Sequence, residues 1–472
     1  MSRIGQEVSE LLHRSMDSHV RVAVTGLSRA GKTAFISSLV NQLLHSSTHD
    51  NLPLLECARD NRLVGAKRVP QEDLLVARFA YDEAMQQLHA EPPQWPVPTR
   101  DVSEIRLAIK FQSQKGAKRL LKRTSTLYLD VIDYPGEWLL DLPLLDMTFE
   151  QWSEQQLSQL TGVRQQLAAT WLATMETFDA TLAADEKQIA DIAAQFTDYL
   201  HQCKDAGLHW VQPGRFVLPG DLEGAPVLQF FPCTAPEGQL DQRKSYKHKP
   251  DKHKPNKHSS YAMLKHRYQE YQNKVVKQFY RKYFSTFDRQ IVLVDCLQPL
   301  MAGSESFHDM KNALQQIMKS FRYGNNNLLR RLFSSRIDKV LFAATKSDHV
   351  TPDQHANLVS LLQQMVHPTW QEAAFENIEM NCMSIASIQA TQAGFITKGS
   401  DNIPALRGVT LQGEPMTLYP GDVPERLPKP DYWQHNRFEF TAFRPLESAM
   451  DEPCPHTRMD KVLQYLLGDK LR

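Results

Sequence analysis

Residues Val20–Leu44 read VRVAVTGLSRAGKTAFISSLVNQLL, and three kinds of pattern follow one another in them. An apolar run (Val20, Val22, Ala23, Val24) gives way to Gly26–Thr33, GLSRAGKT, and then to Phe35, Ile36, Leu39, Val40, Leu43 and Leu44 at helical spacing. Strand, glycine-rich turn and helix in that order are what a phosphate-binding loop requires. Gly26 and Gly31 admit backbone angles closed to other residues, so that successive N–H groups can turn inward around an anion. The new helix adds its unpaired N–H groups and positive dipole end. The candidate phosphate-binding set is Gly26, Ser28, Arg29, Ala30, Gly31, Lys32, Thr33 and Ala34. Lys32 would reach the outer phosphates, and the Thr33 hydroxyl would hold a magnesium ion.

The remaining composition is that of an ordinary soluble protein. At 472 residues the chain should hold more than one domain or one core with large insertions. Lys plus Arg (54) balances Asp plus Glu (54), so no global field recruits nucleic acid or a membrane. Six scattered cysteines, Cys57, Cys203, Cys233, Cys296, Cys382 and Cys454, form no close pair, which speaks against a zinc site or a disulfide framework and fits a reducing cytoplasm. The opening MSRIGQEVSELLHR carries acids and no continuous apolar stretch, unlike a secretory signal. Its Ile4, Val8, Leu11 and Leu12 share one face of a short helix expected to dock on the core.

Beyond the loop helix, residues 45–98 read as an insertion with a helix near Gln71–Leu88, ending in the proline-rich EPPQWPVPT. Val102–Phe111 and Thr126–Ile132 read as a strand hairpin turning at KGAKR and leading into Asp133-Tyr134-Pro135-Gly136-Glu137. Helical periodicity then fills about 138–205, an uncommon length for a connection and the mark of an inserted helical lobe. The run SYKHKPDKHKPNKHSSY near 244–260 reads as a solvated, mobile basic loop, with contact to an acidic partner or weak contact to an anionic membrane as the minor alternatives. A helix at Tyr261–Phe284 closes the lobe. Strands at Gln290–Val294, Lys339–Ala344 and Ile378–Met383 alternate with helices at Ser306–Phe321 and Pro352–Val366, which calls for a mainly parallel sheet with helices on both faces. Thr391–Pro453 reads as turn-rich with a short strand near Phe438–Phe443, and Met459–Leu467 as a closing helix. The expected fold is therefore α/β, a doubly wound P-loop core over 1–137 and 286–472 with an antiparallel hairpin and a helical domain inserted at 138–285.

Ligands of such sheets gather at the carboxyl ends of the strands. Asp133 ends an apolar strand where a carboxylate could hold magnesium through water, and the Gly136 N–H could approach a γ phosphate. Thr345-Lys346-Ser347-Asp348 follows the strand VLFAA. A carboxylate at Asp348 can accept from N1–H and N2–H₂ of guanine, which adenine cannot match, while the Lys346 stem lies along the purine. After the last core strand, Ser384 and Ala386 could offer an N–H to guanine O6.

The order GLSRAGKT, DYPG, TKSD, SIAS resembles the guanine-nucleotide motifs of Ras-like P-loop GTPases, and GLSRAGKTAF with DYPGEWLLDLPLL is similar to the bacterial YcjX family of stress-associated P-loop proteins along the whole chain. The resemblance implies a Ras-like core with a helical domain, somewhat like G-protein α subunits, that binds GTP or GDP and Mg²⁺. By motif, Thr33, Thr99 and Asp133 are implied as magnesium ligands, Lys32, Thr99, Gly136 and Glu137 as catalytic, and Thr345, Lys346 and Asp348 as base-binding. Three positions depart from the pattern. Thr345 replaces the usual asparagine, Glu137 stands where the water-orienting glutamine is found, and no arginine precedes Thr99; Arg29 and Arg100 are candidate substitutes, with a surface or structural role the favoured reading of each. A glutamate accepts from water but cannot donate, so slow hydrolysis is expected. The leading reading is a slow regulatory GTPase of the cytoplasm linked to stress. The alternatives are an ATPase at the same phosphate site, or a non-hydrolysing switch or scaffold that meets a protein partner through the helical lobe.

Overall fold

The computed structural model describes residues 18–27, 29–99, 101–114, 124–235, 258–320, 337–375, 378–398, 401–435 and 441–472. The expected amino-terminal helix, Ser28, Arg100, the KGAKR turn and nearly all of the basic run lie outside them. In chain order the strands are β1 (Ser18–Gly26), β2 (Leu63–Val69), β3 (Ala77–Arg78), β4 (Ser103–Phe111), β5 (Ser125–Asp133), β6 (Arg289–Val294), β7 (Lys339–Ala344), β8 (Glu379–Ser384), β9 (Thr391–Lys398), β10 (Asp401–Val409) and β11 (Pro415–Leu418). The longer helices are α1 (Lys32–His45), α2 (Tyr81–Leu88), α3 (Phe149–Ser158), α4 (Glu186–Asp205), α5 (Ser260–Glu270), α6 (Ser304–Ser320), α7 (His355–Phe375) and α8 (Met459–Leu467).

Contacts divide the chain into two compact units, Met1–Pro135 with Thr286–Met301 and Ser335–Arg472, and Gly136–Ser285 with Ala302–Ser334. The first is a mixed α/β unit. Its main sheet runs β2-β4-β5-β1-β6-β7-β8, with β3 added beside β4. β5, β1, β6, β7 and β8 are parallel, and β2, β4 and β5 pair antiparallel. Parallel strands are buried on both faces, which is why VRVAV, RQIVLV and KVLFAA are nearly uninterrupted apolar runs. The core joins β1, β5, α1 and α8 through Val20, Val22, Phe35, Leu39, Leu129, Leu463 and Leu467.

Two expectations give way here. The turn-rich Thr391–Pro453 region instead holds a three-stranded antiparallel sheet, β9–β11; residues 438–440 of the short strand expected near Phe438–Phe443 lie outside the described residues, and Phe443 forms a bridge with Thr410. The 45–98 insertion contributes an edge strand, β2, and its helix starts at Tyr81 rather than near Gln71.

The second unit is helical. Thr148 caps α3 with a reciprocal bond to Gln151, and the Asp185 carboxylate accepts from the Lys187 and Gln188 amides to start α4. α5 runs through a π-helical turn (Tyr271–Val276) into a last helix, Lys277–Lys282, in place of one regular helix over 261–284. An aromatic cluster fills the interior: Trp152 meets Phe149, Phe196, Phe230 and Tyr268 at ring separations of 5.3–6.3 Å. The unit also takes α6, which the sequence had assigned to the core, because the Asp309 carboxylate accepts from Arg164 and from the His209 and Trp210 amides. Among the described residues, no helix is long and apolar enough to cross a membrane.

Candidate functional site

The loop between β1 and α1 is shaped by its glycines. A Cβ on Gly26 would lie 2.9 Å from the Leu293 carbonyl oxygen of β6, so only glycine lets the two strands approach this closely. Gly31 has φ 81 and the exposed Arg29 φ 63, both left-handed. Such residues aim neighbouring N–H groups into a common concavity. The buried Ala30 donates its N–H to the Leu27 carbonyl at 3.1 Å and closes the turn. Among the described residues α1 has no side-chain cap and no acid in its first turn, so the amides of Lys32, Thr33 and Ala34 and the positive helix end offer an anion its complement.

Three oxygen-bearing side chains meet beside this loop. The Thr99 N–H donates to Thr33 Oγ1 at 3.4 Å, and the Thr99 hydroxyl donates to Asp133 Oδ2. Asp133 Oδ1 is buried and has no hydrogen-bond partner among the described residues. Burial raises the Asp133 pKa above the usual carboxylate range, against the opposing pull of Lys32 and the Thr99 hydroxyl. A buried oxygen left without a donor costs stability. A dication would satisfy it, and two hydroxyls with one carboxylate are hard donors that suit Mg²⁺. No group of three or more His, Cys, Asp or Glu that could hold a metal ion assembles among the described residues.

The chain leaves β5 through Tyr134, whose N–H donates to the Val24 carbonyl at 3.2 Å and whose hydroxyl donates to Gln290 Oε1 at 3.0 Å. Gly136 and Glu137 then open a 3₁₀ segment, Gly136–Asp146, and belong to the helical unit. The unit boundary therefore falls before Gly136 rather than after Glu137. The Glu137 carboxylate is buried and pairs with Lys204 Nζ at 2.8 Å. Its charge is thus engaged by the lobe's own lysine, a partner the sequence reading did not foresee.

Across the sheet, Thr345 donates its N–H to the Val294 carbonyl at 2.9 Å, and Lys346 turns the loop with φ 58. Lys346 Nζ donates to Asp295 Oδ2 at 2.6 Å. Asp295 is 2% exposed, also accepts from the Leu297 and Gln298 amides, and is held below its ordinary pKa by Lys346 against the opposing effect of burial. Asp348 is buried, and its Oδ2 accepts from the Ala390 N–H at 2.6 Å. The last loop departs from expectation. The Ala386 N–H, expected at guanine O6, instead donates to the Thr457 carbonyl at 3.2 Å, while the Ser384 hydroxyl accepts from Arg458 at 2.9 Å.

Register brings these loops to one edge. Gly26 pairs with Leu293 on β6, Val294 with Ala344 on β7, and Ala344 with Ser384 on β8. At about 4.8 Å per strand, the phosphate loop and the Thr345–Asp348 loop stand roughly 10 Å apart, a separation one nucleotide can span. Asp295 is the residue sequence reasoning passed over. VLVDC ends β6 in an acid just as YLDVID ends β5, and the strand-end rule that selected Asp133 selects Asp295 too.

A model of the YcjX-like family, also designated DUF463, matches residues 20–471. A protein of Escherichia coli named Ras-like GTPase YcjX is 54% identical over 475 residues, covering all of both chains. One of the same name from Shewanella oneidensis is 43% identical over 487 residues, covering all of this chain and 98% of the relative. With that identity sustained from end to end, the chain belongs to the YcjX-like family.

Proposed function

We propose that the chain binds guanine nucleotides with Mg²⁺ and hydrolyses GTP slowly to GDP and phosphate. The observation that carries this reading is the meeting of Thr33, Thr99 and Asp133 beside the glycine loop, with the Asp133 Oδ1 left unpartnered. Mg²⁺, when bound, would neutralise charge on the outer phosphates. Thr33 and Thr99 are the residues to hold it, with Asp133 accepting from its waters. Lys32 and the loop amides grip the phosphates, and Asp348 offers its remaining oxygen to the N1–H and N2–H₂ of guanine. The names of the two relatives support GTP over other nucleotides.

Turnover is expected to be slow because Glu137 cannot donate a hydrogen bond to the transition state and is already paired with Lys204. A slow cycle suits a regulatory role, the stress-associated one that the family resemblance implies. Calorimetric titration of the nucleotide-free protein with GTP and ATP, with and without Mg²⁺, tests the assignment. GTP should bind more tightly and only Mg²⁺ should enhance it. Equal affinity for ATP would move the reading to an ATPase, and phosphate release no faster than that of Lys32→Ala would move it to a non-hydrolysing switch.

A further inference from the structure

The segment that delivers Thr99 reads Glu91-Pro92-Pro93-Gln94-Trp95-Pro96-Val97-Pro98-Thr99. Each proline fixes its own φ and keeps the preceding residue extended, so Trp95–Thr99 is a short stiff strut rather than a flexible loop. The strut is fastened at three points by the chain itself. The Gln94 N–H donates to the Gln87 carbonyl at 2.9 Å, the Val97 N–H to Gln87 Oε1 at 3.0 Å, and Trp95 Nε1 to the Phe443 carbonyl at 2.8 Å. The Trp95 ring also packs on a small cluster of Ala34, Leu88, Ile388 and Cys454. Ala34 directly follows Thr33, so the cluster ties the strut to the first turn of α1. At the strut's far end Thr99 reaches both Thr33 and Asp133.

We propose that Gln87 and Trp95 are positioning residues that hold Thr99 against Thr33 and Asp133 before any nucleotide or metal arrives. What Thr99 is held for rests on the magnesium–nucleotide reading above; the holding does not. A loop ordered only by its ligand loses backbone and side-chain freedom at the moment of binding, whereas one fastened in advance does not, and its ligand binds more tightly. None of the three anchors involves a phosphate. The strut therefore presents Thr99 equally to a diphosphate and a triphosphate complex, and Mg²⁺ should slow the release of both.

Hydrogen exchange of the nucleotide-free, metal-free full chain is the first test. Pro96 and Pro98 carry no N–H, so a fragment spanning 94–99 reports only Gln94, Trp95, Val97 and Thr99. Gln94 and Val97 should exchange slowly. Gln87→Ala should release Val97 and leave Gln94, whose acceptor is a backbone carbonyl. Trp95→Phe, which keeps a ring but has no N–H for Phe443, should speed both, by about tenfold for one lost hydrogen bond. The second test follows release of a fluorescent GDP and a fluorescent GTP analogue against Mg²⁺. Both variants should raise the Mg²⁺ concentration for half-effect by roughly three- to tenfold and leave release in chelator unchanged. Unprotected exchange over 94–99 in the parent protein, or an unchanged Mg²⁺ half-point in both variants, would overturn the proposal. If no guanine nucleotide binds, the functional reading falls and the exchange experiment alone decides on the strut.

Discussion

Replacing Asp348 by asparagine separates base recognition from stability. In the structure Asp348 Oδ2 accepts from the Ala390 N–H at 2.6 Å, and an asparagine carbonyl oxygen can keep that bond. Alanine could not, and would leave a buried N–H without a partner at a cost of about 1–3 kcal/mol, mixing a folding defect into the result. The asparagine amide, however, presents N–H where guanine also presents N–H. Two charge-assisted bonds are lost, each contributing about 1.5–3 kcal/mol, so GTP affinity should fall by roughly 10²- to 10⁴-fold. Xanthine carries a carbonyl in place of the guanine amino group and accepts from the new amide, so XTP should overtake GTP. ATP, whose adenine has no N1 donor for the carboxylate, should change little. Competition titrations with the three triphosphates at fixed Mg²⁺, alongside thermal melts, give all these quantities. A loss of GTP affinity below about tenfold, or GTP still preferred to XTP, would show that Asp348 does not read the base.

Two further predictions concern buried acids. Asp133 is raised from 3.8 by burial, so its carboxyl supports the fold most fully below that value and loses the contribution as pH rises through the folded pKa. Asp133→Asn should therefore raise the melting temperature of nucleotide-free protein at neutral pH while abolishing the tightening of nucleotide binding by Mg²⁺; melts with and without Mg²⁺ check both halves. Asp141 accepts from Tyr271 Oη at 2.6 Å and the Gly214 N–H at 2.8 Å, yet burial pushes it from 3.8 up to about 7. The same sign applies: its stabilisation is complete below about pH 4 and is lost as pH climbs through about 7. Asp141→Asn mimics the protonated acid, so its melting temperature should vary less between pH 4 and 8 than that of the parent; an identical slope would refute the assignment.

Where local chemistry sets the structure, the sequence was legible. β1, β6 and β7 are apolar runs buried on both faces, α8 keeps its expected bounds, and Thr33, Thr99 and Asp133 come together as the motif order implied. What stayed hidden depends on distant partners. β9 and β11 are largely exposed, and nothing in TQAGFITK or PMTL shows the alternation of a half-buried strand. β2 is an edge strand with Gly65 breaking its register. The Ala386 N–H looked available because its acceptor, Thr457, lies 71 positions further along the chain. Lys204 closes on Glu137 from the end of α4, a pairing that no local spacing encodes.

The far end of the chain has a consequence for biosynthesis. α1, which carries the phosphate loop, packs on Val462, Leu463 and Leu467 of α8, and Gln42 Nε2 donates to the Cys454 carbonyl across 412 positions at 2.7 Å. Arg289 of β6, fully enclosed, grips Asp469. On the ribosome, the first elements made must wait for the last before their apolar faces are covered. The helical unit, apart from α6, is made as one continuous stretch, 136–285, ahead of α8, so it is expected to condense while the phosphate-loop core still waits for that helix. Interrupting the chain before α8 should yield a product that binds no nucleotide and whose β1 and α1 are open to proteases, which limited proteolysis would read.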